Sequence, residues 1–240
     1  MNNPPIPEPD DLSYSLDLVL CVDSTASMIP ALCMVADSID SLAIRLSEAF
    51  FDMGKALLPE ALRVKVIQFK DYCWDKEPMT ETRFFRILKN EERQALCEFV
   101  DSMLSYGGGD EPESGLEALA ASIRADWSPA KAGNRQIIVL FTDASTHDLD
   151  DPLSKQHPLY PKDMHTSLDA LQALWEEGDP AFAPHYDPSR ARLILFAPPE
   201  VFPWKQLQFW SRTSLYPVQE ARGCSELDFS VVYSIIAGIC

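Results

Sequence analysis

Two apolar segments of this sequence each end in an aspartate, and together they restrict the fold more than any other feature. Residues 14–23 (YSLDLVLCVD) and 135–144 (RQIIVLFTDA) are apolar at consecutive positions, so both sides of each segment need cover. Apolar runs of this length are typical of parallel strands that have helices packed on both faces. We therefore predict two buried central strands, which carry Asp23 and Asp143 to their carboxyl ends.

Strand-like and helix-like segments alternate along the rest of the chain. Besides the two central strands, we predict strands at 61–69, 82–88, 190–199 and 214–219, and helices at 29–50, 91–104, 114–127, 167–177, 203–210 and 229–240. This alternation predicts an α/β fold, doubly wound, with a mainly parallel central sheet covered by helices on both faces. We expect a Pro-rich N-terminal arm (1–13) followed by a single domain (14–240).

An aspartate and two hydroxyl residues, spaced two apart, end the first central strand in the sequence DSTAS (23–27). Two structural explanations are open: a hydroxyl caps the helix that follows, or Asp23 accepts hydrogen bonds from nearby backbone N–H groups. Neither explanation requires Asp23, Thr25 and Ser27 together. Doubly wound folds form their binding sites at the carboxyl ends of the strands. If the two central strands are neighbours, Asp23 and Asp143 converge at one edge of the sheet.

A glycine-rich turn adds a third carboxylate to this predicted edge. In the segment GGGDEPES (107–114), three glycines free the backbone to bring Asp110 close to it. Oxygen donors without paired His or Cys residues suit a hard cation, with Mg²⁺ first and Mn²⁺ or Ca²⁺ as alternatives. The predicted metal ligands are Asp23, Thr25, Ser27, Asp110 and Asp143. For Asp110, a role as the cap of the following helix is equally open.

These motifs resemble those of the von Willebrand factor A domain family, whose metal-ion-dependent adhesion site has the pattern Asp-x-Ser/Thr-x-Ser. Here that pattern is DSTAS, and Asp143 in FTDA matches the aspartate of the family's third motif. The resemblance covers about residues 14–240. The segment GGGDEPESGLEAL is most similar to the bacterial intracellular branch, which includes proteins associated with tellurium-resistance and stress loci. The resemblance implies a Rossmann-like fold in which Thr25 and Ser27 contact the ion and the two aspartates often act through water.

The sequence departs from the family pattern at two places. Ala26 stands where the bacterial branch usually has glycine. The family's second motif commonly supplies a metal-binding threonine, but residues 104–114 (LSYGGGDEPES) contain none, and Asp110 is the nearest candidate oxygen. The second motif is therefore where this chain differs most from the family.

Residues 69–75 (FKDYCWD) and His147 lie close to the predicted edge in the sequence. For Asp71 and Asp75 we favour a strand-ending loop with aromatic packing over a partner surface. For His147 we favour an ordinary loop histidine, because the four histidines form neither an HxH nor an HExxH pattern. None of these residues is among the predicted ligands.

Charge and targeting features narrow the class of partner and the compartment. The net charge of −17 argues against binding of nucleic acid or of an anionic membrane, because both require cationic patches. We see no secretory signal, and no apolar run approaches the roughly 20 residues of a spanning helix. The six cysteines form no CxxC pair. We therefore expect a reduced, cytoplasmic protein.

By resemblance, we expect a non-enzymatic protein-interaction module in which a partner's carboxylate completes the coordination of the ion. Intracellular bacterial members of the family act beside kinases, phosphatases or AAA+ ATPases in stress and defence assemblies, and we expect a partner of one of these classes. Two alternatives stay open: a metal-dependent phosphohydrolase and a degenerate domain without metal. Against the first, the sequence has DST in place of the DxD of aspartyl-phosphate enzymes and has no GxxxxGK[ST] loop.

Overall fold

The computed structural model describes residues 13–52, 56–103, 111–129, 133–222, 224 and 229–239. The strands in these ranges are β1 (Ser13–Asp23), β2 (Ala56–Phe69), β3 (Met79–Glu81), β4 (Phe85–Arg86), β5 (Asn134–Phe141), β6 (Ala191–Ala197) and β7 (Thr213–Pro217). The helices are α1 (Ile29–Asp52), α2 (Asn90–Ser102), α3 (Gly115–Ile123), α4 (Leu168–Glu177), α5 (Trp204–Leu207) and α6 (Phe229–Ile239). Short 3₁₀ helices occupy Ala26–Met28 and Ser154–Gln156. Residues 1–12 of the predicted arm lie outside the described ranges, so the arm and the single-domain boundary stay predictions.

The strands form one seven-stranded sheet in the order β3-β2-β1-β5-β6-β7, with β4 also paired to β2. Strands β1, β2, β5, β6 and β7 are parallel, whereas β3 and β4 run antiparallel to β2. Strand β1 is central, since Leu18 pairs with Val64 of β2 on one side and with Ile137 of β5 on the other. The predicted α/β class and the mainly parallel sheet are confirmed.

Side chains of β1 alternate between two hydrophobic cores, one on each face of the sheet. Leu18, Leu20 and Val22 belong to the core that contains residues of α1, α2 and α6. Val19 and Cys21 belong to the other core, which contains residues of α3, α4 and α5. Because both faces of the strand are buried, its sequence is apolar at consecutive positions. Helices therefore cover both faces of the sheet, as predicted.

Helix α1, together with the preceding 3₁₀ turn, is long and apolar enough over Ala26–Asp52 to cross a membrane by length and composition. Polar residues interrupt this segment, so the sequence shows no unbroken apolar run of that length. Its buried residues recur at helical spacing and pack into one core: Ala31, Leu32, Val35, Ile39, Leu42, Ala43, Leu46 and Phe50. We assign the apolar character of the helix to this packing, because a stripe of this kind is typical of a helix on a core.

The predicted strand at 82–88 is wrong in detail. Only Phe85–Arg86 (β4) of this range is a strand, and residues 82–84 separate it from β3. Thr82 N donates to Val66 O at 2.9 Å, but Val66 N donates to Thr82 Oγ1, also at 2.9 Å, and not to the backbone carbonyl. Lys65 Nζ donates to that carbonyl at 2.6 Å. A side chain thus replaces a backbone acceptor, and the regular ladder stops. Strand β2 also begins earlier than predicted, at Ala56 and not at residue 61.

Gly115, the first residue of α3, lies against the indole ring of Trp204. A Cβ at position 115 would lie 3.0 Å from Trp204 Cη2 and 3.1 Å from Cζ2. The ring is fully buried, and its Nε1 donates to Ala144 O at 2.8 Å, so it has little freedom to move. We expect Gly115→Ala to lower the free energy of unfolding by about 1 kcal/mol, because overpacking outweighs the higher helix propensity of alanine.

Gly238→Ala in α6 is the matched control, because nothing lies within 4 Å of its added Cβ. Helix propensity alone makes this change neutral or stabilising by up to about 1 kcal/mol. Urea denaturation of the two variants measures the difference in the free energy of unfolding. Equal effects of the two substitutions would contradict the steric explanation.

Candidate metal centre

The candidate site lies at the carboxyl edge of the sheet, between β1 and β5. These strands are neighbours, and Val22 pairs with Phe141 near their carboxyl ends. After β1 the chain continues to β2 on one side, whereas after β5 it continues to β6 on the other. Diverging connections leave a crevice at the sheet edge, where doubly wound folds bind ligands. Asp23 ends β1 and Asp143 follows the end of β5, so both border this crevice.

Asp23 is fully buried and is held by three hydrogen bonds. Its Oδ1 accepts from Thr25 N at 3.0 Å and from Thr25 Oγ1 at 2.7 Å. Its Oδ2 accepts from Thr142 Oγ1 at 2.7 Å. Burial raises the pKa of Asp23 to about 6, with a contribution from the charge of Asp143, although the bonds from Thr25 and Thr142 lower it. The carboxylate is therefore fixed in position but carries an electrostatic penalty that a cation would relieve.

The two hydroxyls of the DSTAS motif connect Asp23 to Asp143. Thr25 Oγ1 lies 3.3 Å from Ser27 Oγ, and Ser27 Oγ donates to Asp143 Oδ1 at 3.0 Å. The helix-capping explanation fails for Thr25, which precedes the 3₁₀ helix but makes no side-chain cap hydrogen bond. The backbone explanation accounts only for the contact of Thr25 N with Asp23. Instead, each hydroxyl donates its single hydrogen to one of the two carboxylates, and the two hydroxyl oxygens lie in contact. We call Asp23, Thr25, Ser27 and Asp143 the hydroxyl network.

The hydroxyl network contains four of the five predicted ligands. Asp110 lies outside the described residues, so its roles as ligand and as helix cap both stay open. Ser114, which directly precedes α3, makes no side-chain cap hydrogen bond, and its Oγ accepts from Tyr72 N at 3.0 Å. Binding of a metal ion by the four residues stays a prediction.

Glu113, which is absent from the predicted ligands, is buried, and the charge of Asp23 contributes to its raised pKa. Its backbone pairs with the segment after β5: Glu113 N donates to Ser145 O at 3.0 Å, and His147 N donates to Glu113 O at 2.9 Å. The residue is only 4% exposed, and its Oε2 has no hydrogen-bond partner. Burial, together with the charges of Asp23 and Asp71, raises the pKa of Glu113 to about 9.

The sequence contains one signal for Glu113. This residue stands in the segment where the family has its second metal-binding motif, just before α3 begins. The adjacent glycines favour Asp110 as the candidate, because they free the backbone there. The burial of Glu113 depends on a backbone bridge between Glu113 and Thr146. No local sequence pattern indicates this tertiary contact.

The side-chain donors at this edge of the sheet are oxygen atoms. The hydroxyl network supplies carboxylate and hydroxyl oxygens. Burial, with a smaller contribution from neighbouring carboxylates, raises the pKa values of Asp23 and Glu113. Buried polar atoms normally have a partner, so the unpartnered Oε2 of Glu113 fits coordination of an ion. Hard divalent cations take such donors, and the residues therefore fit Mg²⁺, Mn²⁺ or Ca²⁺.

A second group of candidate ligands is separate from the hydroxyl network. Asp71, Cys73 and His147 each offer one donor atom, and these atoms lie within 4.8 Å of one another. His147 Nε2 lies 3.2 Å from Asp71 Oδ1, so the imidazole belongs to this group.

Comparisons with known proteins agree with this architecture. A sequence model described as the von Willebrand factor type A domain matches residues 17–161. No curated protein matches the chain. The solved structure of the pilus adhesin SpaC from Lactobacillus rhamnosus GG is similar, with 12% sequence identity and a TM-score of 0.55, over 94% of this chain and 30% of that chain. The open conformation of the same adhesin gives a TM-score of 0.47 at 12% identity, with the same coverage.

Proposed function

The chain belongs to the von Willebrand factor type A domain family, and on this basis we propose that it is a protein-interaction module that holds a divalent cation. The cation site is the hydroxyl network at the carboxyl edge of the sheet. Mg²⁺ is the first candidate, with Mn²⁺ and Ca²⁺ as alternatives. The observation that carries this proposal is the convergence of Asp23 and Asp143 on the hydroxyls of Thr25 and Ser27, whose oxygens lie 3.3 Å apart.

We propose Glu113 as the fifth oxygen donor, in the motif where the family commonly has a threonine. Its support is the buried, unpartnered Oε2 and the effect of the Asp23 charge on its pKa. In this arrangement Thr25 and Ser27 would hold the ion together with Glu113, and Asp23 and Asp143 would support them, as the resemblance implies. Asp110 stays a candidate for the same role, since it lies outside the described residues.

A bound divalent cation supplies an electrophilic position for an oxygen ligand from a partner protein. Neutral hydroxyl ligands leave its charge largely uncompensated, whereas Glu113 as a ligand adds one negative charge and weakens the attraction for an acidic partner. The chain's own residues hold the site in shape. Thr142 orients Asp23 through its 2.7 Å hydrogen bond, and Ala221 N, which donates to Asp143 O at 3.0 Å, fixes the loop that carries Asp143.

For the cellular setting we propose a cytoplasmic bacterial stress or defence assembly, with a kinase, a phosphatase or an AAA+ ATPase as partner. This rests on the similarity of GGGDEPESGLEAL to the intracellular bacterial branch. An interaction role is also compatible with the fold that the chain shares with a pilus adhesin, although this chain spans only 30% of that adhesin chain. We propose no enzymatic activity and, given the net charge of −17, no nucleic acid or membrane partner.

Divalent cations are expected to raise the melting temperature of the purified protein. A ligand that binds only the folded state adds about 2.7 kcal/mol at one hundred times its Kd. For a domain of this size, that corresponds to a rise of about 5 to 10 °C. Thermal melts with Mg²⁺, Mn²⁺, Ca²⁺ and EDTA measure the effect. Superimposed curves in all four conditions would favour the degenerate domain without metal.

The phosphohydrolase alternative is separated from the interaction role by an assay of p-nitrophenyl phosphate hydrolysis under the same metal conditions. We expect no hydrolysis above the buffer rate. Hydrolysis that requires Mg²⁺ and disappears in Asp143→Asn would overturn the purely non-enzymatic role.

A further inference from the structure

The donor atoms of Asp71, Cys73 and His147 lie between the loop after β2 and the segment after β5. One donor atom from each residue lies within 4.8 Å of the other two. Asp71 Oδ1 accepts from Cys73 N at 2.8 Å and lies 3.2 Å from His147 Nε2. The three side chains are therefore close enough to share one ion after small adjustments.

Several polar atoms in this region are buried without partners. Asp71 is fully buried, and its Oδ2 has no hydrogen-bond partner. His147 Nε2 lies near Asp71 Oδ1 but is not aligned with it for a hydrogen bond. Glu117 is fully buried with an unpartnered Oε2, and the charges of His147 and Asp71 both affect its pKa. Unpartnered buried polar groups are rare in folded proteins, and a bound ion is one of the explanations.

We propose that Asp71, Cys73 and His147 form a second cation site, which takes Zn²⁺ and is distinct from the hydroxyl network. A thiolate and an imidazole do not suit Mg²⁺ or Ca²⁺, whereas Zn²⁺ takes sulfur, nitrogen and carboxylate donors. Donor atoms around tetrahedral zinc lie about 3.3 to 3.8 Å apart, so shifts of about 1 Å bring the three side chains into range. Three protein ligands leave the fourth position for water.

Binding of Zn²⁺ here releases protons to the solvent, because Cys73 must become a thiolate and His147 must be neutral. Without metal, burial raises the pKa of Cys73 to about 11, so the free thiol keeps its proton and the ion must displace it. An open cavity of about 490 Å³ borders the imidazole of this group, and its lining includes His147 and Asp151.

The second ion links two segments that border the first site. His147 N donates to Glu113 O at 2.9 Å, so a ligand bond to the imidazole also restrains the backbone of Glu113. Ser154 Oγ lies 3.4 Å from Cys73 Sγ, so the 3₁₀ helix Ser154–Gln156 also contacts a ligand of the second ion. The zinc site thus stabilises the loops around the hydroxyl network without supplying a ligand to it.

Titration with Co²⁺ as a probe for Zn²⁺ tests the second site on the full chain after removal of metals by a chelator. A Co²⁺–thiolate bond gives a charge-transfer band in the near ultraviolet. We expect one equivalent of Co²⁺ to produce this band in the wild type and in Cys33→Ser, whose thiol is exposed on α1. Cys73→Ser should lose the band, and His147→Gln should lower the affinity about 100-fold or more. Zn²⁺ should displace the probe, and Mg²⁺ should not.

The two sites are tested independently of each other. Asp143→Asn should leave the Co²⁺ band unchanged while it removes the response to Mg²⁺, so failure of one proposal does not imply failure of the other. Circular dichroism checks that each variant is folded. If Cys73→Ser does not fold, the Co²⁺ affinity of His147→Gln tests the zinc site instead. A wild type without the band, or a band of unchanged affinity in either variant, overturns the zinc site and leaves an Asp71–His147 ion pair.

Discussion

Glu113→Gln is expected to raise the melting temperature of the protein in EDTA and to remove the further rise that Mg²⁺ produces. The change keeps the shape of the side chain but removes a buried carboxyl group whose Oε2 has no partner and whose ionisation is opposed by burial and by the charge of Asp23. Without metal, the wild type must take up a proton at Glu113 when it folds at neutral pH, and the glutamine variant avoids this cost. With metal, the same change removes a ligand. A purely structural role for Glu113 does not predict these opposite effects.

The gain in EDTA should depend on pH. Folding raises the pKa of Glu113 from 4.5 to about 9, mainly through burial. Between these pH values the unfolded chain has lost this proton and the folded chain keeps it, so the contribution of Glu113 to the stability of the wild type falls as the pH rises. The loss at pH 7.5 is at most about 4 kcal/mol, since each unit above the unfolded pKa contributes about 1.4 kcal/mol. The advantage of the glutamine variant should therefore be small at pH 5 and large at pH 8.

Glu117→Gln is the matched control for this experiment. Glu117 lies in α3 and, like Glu113, is buried with an unpartnered Oε2, but burial raises its pKa only to about 7. The control should gain less stability than Glu113→Gln in EDTA at pH 8 and should keep the full response to Mg²⁺. Melting curves of both variants with and without Mg²⁺ provide the comparison. An unchanged Mg²⁺ response in Glu113→Gln would exclude Glu113 as a ligand and leave Asp110 as the candidate.

The central strands and their carboxylates could be predicted because burial on both faces imposes a local pattern. Val19 and Leu20 are adjacent in β1 but belong to different cores, so both must be apolar. The helices follow from their 3.6-residue spacing, and the parallel sheet follows from the alternation of helices with strands. Once β1 and β5 are neighbours and parallel, Asp23 and Asp143 meet at the same edge.

The features that escaped prediction depend on contacts between residues that are distant in the sequence. Thr82 interrupts the edge strand because its hydroxyl accepts from Val66 N in another strand. Glu113 becomes buried because its backbone pairs beside Thr146. His147 meets Asp71 only when the segments after β5 and β2 lie together in the folded chain. Contacts of this kind produce no periodic pattern and no fixed spacing, so neither a motif nor the composition indicates them.

Thr25→Ala combined with Ser27→Ala is expected to lower the Mg²⁺ affinity about 100-fold or more but to destabilise the metal-free protein. The two hydroxyls are uncharged, so their removal relieves no repulsion. Thr25 Oγ1 donates to Asp23 and Ser27 Oγ donates to Asp143, and the double change deprives both carboxylates of these donors. The loss should cost about 1 to 3 kcal/mol of stability in EDTA, because hydrogen bonds to charged groups contribute more than neutral ones.

The double variant should stay folded, because Asp23 keeps its hydrogen bonds from Thr25 N and Thr142 Oγ1. Ser24→Ala in the same turn is the control: its hydroxyl donates to Phe69 O at 3.2 Å and accepts from Gln68 Nε2 at 2.8 Å, so Mg²⁺ affinity should not change. Calorimetric titration measures the Mg²⁺ affinity of each variant. Thermal melts in EDTA then distinguish the double variant, which should lose stability, from Glu113→Gln, which should gain it. If the double variant binds Mg²⁺ like the wild type, the DSTAS motif does not hold the ion, and its hydrogen bonds serve only to join β1 to the segment after β5.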